Sequence, residues 1–194
     1  MVRSGRDRLS GIIEADETFI GGEKHDGKLG RGSSGKSLVL IMAQREGKKF
    51  GRIRLKRIPN ASGQILEKAI PEAIEPGSLI KTDAWRGYSG LDKLGYNHKI
   101  IRTDENIGEN LLPGCNLIAS LLKRWLNGTL QGAVAHEHLS YYLDEYTFRF
   151  NRRTSSFRGK LFYRLLQQAV ITEVTTYDKI KKGIRGRKSA DYNI

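Results

Sequence analysis

The chain has 194 residues, 38% of them hydrophobic, which suits a real core and one domain, alone or with extensions. Its 34 Lys and Arg against 21 Asp and Glu leave a formal charge of +13, a surplus that points to a polyanionic partner such as nucleic acid, with an anionic membrane surface as the competing reading. A single cysteine, Cys115, excludes an internal disulfide and a C-x-x-C zinc site, while no run nears the roughly 18 apolar residues of a membrane span and no signal-peptide pattern opens the chain, so a cytoplasmic protein without a membrane partner is expected.

Residues 1–9 read as a basic N-terminal segment. SGIIEADETFI then reads as a strand with Ile12, Glu14 and Asp16 on one face. Residues 21–36 are rich in Gly and charge and are expected to be a flexible loop. Within it, GRGSSGKS (30–37) fits the phosphate-binding pattern G-x-x-x-x-G-K-[ST], which works only between a buried strand and a helix. Here polar EKHDGKL precedes it and strand-like LVLIMAQ follows, so no nucleotide is expected to bind. SLVLIMAQR (37–45) reads as a buried strand, Glu46-Gly47 as a hairpin turn, and FGRIRLKRI as a third strand with Arg52, Arg54 and Lys56 on a solvated, basic face. After Pro59, Ile65, Leu66, Ala69, Ile70 and Ala73 recur at helical spacing until Pro71 kinks or ends the helix. SLIKTDAW is a short strand ending at Asp83, and NHKIIRT (97–103) is another. Residues 104–113 form a loop rich in Asp, Glu and Asn, followed by an amphipathic helix from about Gly114 to Asn127 stopped by Gly128. The stripe Leu139, Leu143, Tyr146 and Phe150 marks another helix, SSFRGKLFYRLLQQAVI continues in kind, and the end of the chain is basic.

Asp16 on the first strand and Asp83 at the end of the fourth sit where an α/β sheet presents polar groups to a site. Divalent-metal chemistry on phosphate uses such carboxylates; an Asp beside a turn serves equally well as a cap. Asn116 and Lys123 are seven residues apart, two helical turns, and share a face: Asn116 can offer a carbonyl oxygen to a metal, and Lys123 a charge to a DNA phosphate. The plainer alternatives are a helix cap and a solvated lysine.

The stretches EADETFIGG (14–22), TDAWRGY (82–88), LPGCNLIASLLKRWLNGT (112–129) and YLDEYTFRFNRR (142–153) resemble the catalytic core of bacterial insertion-sequence transposases of the DDE class, from the branch that carries a zinc ribbon. The resemblance covers about Ser10 to Arg153 and implies an α/β, RNase H-like fold: a mixed central sheet, three antiparallel strands then parallel ones, flanked by helices. It makes residues 10–175 the catalytic core and 176–194 a basic tail. It also implies Asp16 and Asp83 as the first two acidic residues of a triad, Asn116 as the third and Lys123 as the basic residue two turns later, with Mg²⁺ or Mn²⁺, two ions, as cofactor. The reaction implied is metal-dependent DNA cleavage and strand transfer on transposon ends and target DNA, by a homodimer on DNA, in the bacterial cytoplasm on the nucleoid. Lys123, Arg124, Arg149, Arg152 and Arg153 are the expected backbone contacts, together with the basic strand face, Arg158 and Lys160; Trp85 is the candidate to stack on a flipped base, and Trp125 to pack in the core.

Two departures from the family pattern matter. The third ligand is usually Glu, and neutral Asn116 weakens the hold on a second dication unless DNA phosphates help or Glu14, Glu105 or Glu109 compensates. The N-terminal zinc-ribbon or helix-turn-helix region of similar transposases does not precede this core, so the chain is expected to be either a fragment or a remnant. A catalytically inactive DNA-binding domain and an RNase H-like nuclease without strand transfer therefore stay open beside the transposase.

Overall fold

The computed structural model describes residues 7–21, 36–102, 111–130, 134, 138–172, 174 and 176–178. Glu105 and Glu109, most of the glycine-rich loop and the basic tail beyond residue 178 lie outside the described residues.

Three strands, β1 (Ile12–Ile20), β2 (Ser37–Glu46) and β3 (Lys49–Ile58), form an antiparallel meander. Gly47, at φ 61°, takes the left-handed conformation that the tight β2–β3 turn requires. Helix α1 (Gly63–Ala69) stops one residue short of Pro71, as expected from the ring's clash with the preceding turn. Strands β4 (Leu79–Thr82) and β5 (Asn97–Ile100) then add in parallel on the other side of β1, giving the order β3-β2-β1-β4-β5. Ser37 opens β2, so a strand follows the GRGSSGKS match and the helix that a nucleotide loop needs is absent there.

The sheet is covered on both faces. Ile13, Ala15, Leu40 and Met42 pack with Leu66, Ala69 and Ile70 around α1, joined by Tyr88 and Leu91. On the opposite face, Ile20, Val39, Ile41, Ala43, Ile53 and Leu55 pack against α2 (Pro113–Leu130) and α3 (Leu139–Phe150). Strand β2 is buried on both sides, Val39 through Ala43 each at 1% exposure or less, which explains an unbroken apolar run where a one-sided strand would alternate. Leu9, fully buried, pairs with Ile74 ahead of β1, so core packing starts there.

Three expectations change. Helix α2 runs through Gly128 to Leu130: a glycine costs a helix about 1 kcal/mol without ending it, and the buried stripe Ile118, Leu122, Leu126 holds the helix down. The face of β3 carrying Arg52, Arg54 and Lys56 is solvated only in part. Arg54 is 6% exposed and donates to the carbonyls of Asp7 (2.5 Å) and Ile53 (3.0 Å); Arg52 donates to Gln44 Oε1 and the Arg8 carbonyl, and Lys56 pairs with Glu72 at 2.6 Å. The incoming N-terminal segment lies against these guanidinium groups, so their charge fastens the fold. Lastly, α4 (Arg158–Ile171) is helical as expected yet buries no residue, and Phe162, Tyr163, Leu166 and Val170 are exposed on it.

Candidate active site

Asp16 is half-buried on β1, opposite Ile41 of β2, with its Oδ1 accepting the Glu17 amide at 2.8 Å. Asp83 is half-buried one residue past β4, and its Oδ1 accepts the Trp85 amide at 3.0 Å, an Asx-type turn that aims the carboxylate along the strand end. Parallel β1 and β4 pair Ile12, Ile13 and Glu14 with Leu79, Ile80 and Lys81, so Asp16 comes two residues after the last paired residue of β1 and Asp83 two residues after the last of β4. Thr82, fully buried, shares its hydroxyl with the Asp83 carbonyl (2.8 Å) and His98 Nε2 (2.8 Å), which braces this strand end from β5.

Asn116 and Lys123 lie on α2 as the two-turn spacing requires. With Asp16, Thr18 and Ser120 they line one open cleft of about 380 Å³ between β1 and α2. Asp83, one residue past β4, is not among its lining residues. Among the described residues no three His, Cys, Asp or Glu side chains form a group that could hold a metal ion by themselves. The oxygen donors that line the cleft are the carboxylates of Asp16 and Glu17, the Asn116 amide and the Thr18 and Ser120 hydroxyls, a hard set that would suit Mg²⁺ or Mn²⁺.

Glu14, on the same face as Asp16, does not compensate for the neutral Asn116. It is 3% exposed, its Oε2 accepts the amides of Gly114 (2.6 Å) and Cys115 (3.3 Å), and its Oε1 lies 3.6 Å from the Arg45 guanidinium. The first turn of α2 is thereby completed: Pro113 has no N–H, Gly114 and Cys115 donate to Glu14, and the Asn116 amide donates to the Leu112 carbonyl at 3.0 Å. Cys115 is buried, as its sequence setting suggests; burial pushes its thiol pKa up, and the carboxylates of Asp16, Glu14 and Glu17 add to the rise. Burial likewise raises Tyr88, which packs on the α1 side of the sheet, with Glu17 and Asp16 contributing.

The other expected contacts divide. Lys123 and Arg124 are exposed on α2, and only Lys123 lines the cleft. Arg149 pairs with Glu145 one turn back at 2.8 Å. The Arg152 guanidinium stacks over Phe148 at 3.9 Å; Arg153 stacks over Phe150 at 4.0 Å and donates to the carbonyls of Phe50 and Gly51. Arg158 and Lys160 are exposed at the start of α4. The Trp85 indole donates to the Ala61 carbonyl at 2.7 Å and packs on the α1 side of the core, the work of a wall residue; a base could meet only its remaining exposed edge. Trp125 packs against Tyr146 with ring centroids 5.5 Å apart, as expected of a core residue. One anchor escapes a local reading of the sequence. The Asn151 side chain accepts the Ile53 amide (2.7 Å) and donates to the Ile53 carbonyl (3.0 Å), pairing with edge strand β3.

Comparison with known proteins bears on the whole of this region. A family model for the ISXO2-like transposase domain matches residues 8–151, which include Asp16, Asp83, Asn116 and Lys123 and stop short of α4. An uncharacterized transposase-like protein of Haemophilus influenzae is 26% identical over 116 residues, 59% of this chain and 93% of the relative. The catalytic core domain of BIV integrase shares the fold, with a TM-score of 0.50 at 12% identity over 76% of this chain and 87% of that one. The mixed five-stranded sheet flanked by helices is thus the RNase H-like architecture of an integrase core. Among the described residues no helix is long and apolar enough to cross a membrane.

Proposed function

The chain belongs to the ISXO2-like transposase domain family, and from that premise we propose that it cleaves and joins DNA with Asp16, Asp83 and Asn116 as ligands for divalent metal and Lys123 as a phosphate contact. The observation that carries this reading is the convergence of Asp16, Asn116 and Lys123 on one cleft; Asp83 follows β4, which pairs in parallel with the strand that bears Asp16.

The residues divide the work by chemistry. Asp16 sits on β1 and Asp83 one residue past the end of β4, the strand hydrogen-bonded beside it, so adjacent elements of one sheet carry both carboxylates. Asn116 adds an oxygen without charge, so Asp16 and Asp83 together would offset only part of the charge of a two-ion site, and DNA phosphates would supply the rest as the substrate binds. When bound, the metal activates the attacking water or 3′-hydroxyl and offsets charge on the scissile phosphate. Lys123, exposed and lining the cleft, holds a phosphate oxygen beside the reacting group and keeps the backbone in line for attack.

On this reading residues 10–175 form the catalytic core, the partners are transposon ends and target DNA, and the active species is a homodimer on the nucleoid. The test supplies labelled terminal-repeat DNA with Mg²⁺ or Mn²⁺: cleavage and joining by the wild type are expected, with loss to background in Asp16→Ala and Asp83→Ala. Cleavage that survives Asp83→Ala overturns the assignment. The neutral third ligand favours one second reading, an inactive domain that only binds DNA; an inert wild type awakened by Asn116→Glu would decide for it.

A further inference from the structure

Glu14 comes two residues before Asp16 on the same face of β1, and Gly114 two residues before Asn116 on α2. A single carboxylate oxygen bridges the two elements, accepting the Gly114 and Cys115 amides at 2.6 and 3.3 Å, while Arg45 lies 3.6 Å from the other oxygen and orients the group from β2. Buried charge-assisted bonds at a helix N-terminus are among the stronger polar contacts a protein makes, because the amides have no partner within the helix and the helix dipole favours an anion there. The approach is close on the helix side too: a Cβ on Gly114 would lie 2.6 Å from Phe50 Cε1 and 2.8 Å from Glu14 Oε2.

We infer that Glu14 is a positioning residue, which holds the first turn of α2 against β1 and so sets the distance from Asp16 to Asn116 without itself joining the site. The inference rests on reading those two residues as metal ligands. Glu14 fixes the helix-borne third ligand to β1, the strand that carries Asp16. Its loss lets the first turn lift, and Asn116 leaves its place while Asp16 and Asp83 keep theirs.

The experiment has two arms. In metal-free protein, alkylation of Cys115, the one cysteine of the chain, reads the contact between α2 and β1 directly. Glu14→Ala raises the alkylation rate about tenfold or more, Gly114→Ala does so from the helix side, and Glu14→Gln, which keeps an acceptor oxygen, stays nearer the wild type. In the second arm, free Mn²⁺ is counted by electron paramagnetic resonance. Glu14→Ala weakens Mn²⁺ binding by about tenfold, in the range of groups that orient a ligand, and adds nothing further in an Asn116→Ala background because it acts through that side chain. Alkylation unchanged by Glu14→Ala, or an equal loss of Mn²⁺ affinity with and without Asn116, overturns the inference. If Glu14→Ala does not fold, Glu14→Gln and Gly114→Ala carry both arms. A wild type that binds no Mn²⁺ sinks the metal-site reading and with it any effect on ligand spacing, while the alkylation arm separately decides whether Glu14 clamps α2.

Discussion

The side-chain amide of Asn151 pairs with the backbone of Ile53 as a neighbouring strand would, accepting its N–H at 2.7 Å and donating to its carbonyl at 3.0 Å. Strand β3 lies at the edge of the sheet, so this contact caps two edge groups that would otherwise be open and holds α3 down at its C-terminal end. Asn151→Leu removes both partners and is expected to lower unfolding free energy by about 1–3 kcal/mol in urea titration. Asn151→Asp keeps the acceptor for the amide but sets a carboxylate against the carbonyl, so it should recover little. Equal midpoints for wild type and Asn151→Leu would show that the pairing contributes nothing.

Lys123 and Arg153 should separate two kinds of basic residue. Lys123 is exposed in the cleft, whereas Arg153 is bonded to the carbonyls of Phe50 and Gly51 and stacked on Phe150. Lys123→Ala is expected to weaken DNA binding and to reduce the steepness of log affinity against log salt by about 0.9, one phosphate contact, with little change in melting temperature. Arg153→Ala should do the reverse: lower stability with the salt slope unchanged. Filter or anisotropy titrations at several salt concentrations read the slope, and a shared phenotype would defeat the distinction.

Gly87 is held close on three sides. A Cβ there would lie 2.5 Å from the Ala61 carbonyl oxygen, 2.7 Å from Trp85 Nε1 and 2.9 Å from Leu66 Cδ1. Gly87→Ala therefore presses on the Trp85–Ala61 hydrogen bond and is expected to cost about 1–3 kcal/mol, the usual range for overpacking. Tryptophan fluorescence in the native state should change as the indole shifts. A stable variant with unaltered emission would mean that this wall yields easily.

His98 predicts a pH dependence. Burial lowers its pKa from the ordinary 6.5, and the nearby Asp92 carboxylate only partly opposes the shift. The unfolded chain thus binds a proton at higher pH than the folded one. The contribution of neutral His98 to stability is full above about pH 6.5 and is lost as pH falls through the lower folded value. Urea midpoints should decline across that acidic window in the wild type, and the part of the slope due to this group should vanish in His98→Gln. A slope indifferent to the substitution would remove His98 from the account.

Where a pattern is local, it could be read from the chain. The doubly buried β2 follows from its continuous apolar run, the end of α1 from Pro71, and the buried side of α3 from Leu139, Leu143 and Tyr146. The cleft was partly legible: seven-residue spacing puts Asn116 and Lys123 on one helix face, but pairing Asp16 with Asp83 needed the family resemblance, since only the fold sets their strands side by side. Partners distant in sequence leave no local trace. Glu14 looked like spare negative charge for the metals because its true partners, Gly114 and Cys115, are 100 and 101 residues away. Arg54 looked solvated because alternation marks which face a residue occupies and says nothing of what covers it; the Asp7 carbonyl does, 47 residues off.

The sheet order also sets a timetable. On a ribosome the β1–β2–β3 meander can close as soon as it emerges, displaying Asp16 alone, whereas β4 must come later to occupy the remaining side of β1, and α2 later still. On the proposed reading, an enzyme that cuts chromosomes is thus kept harmless during synthesis by its own topology. Its cutting centre cannot be assembled from any half-made or prematurely terminated product that lacks α2, and a cell meets the finished activity only with a finished core.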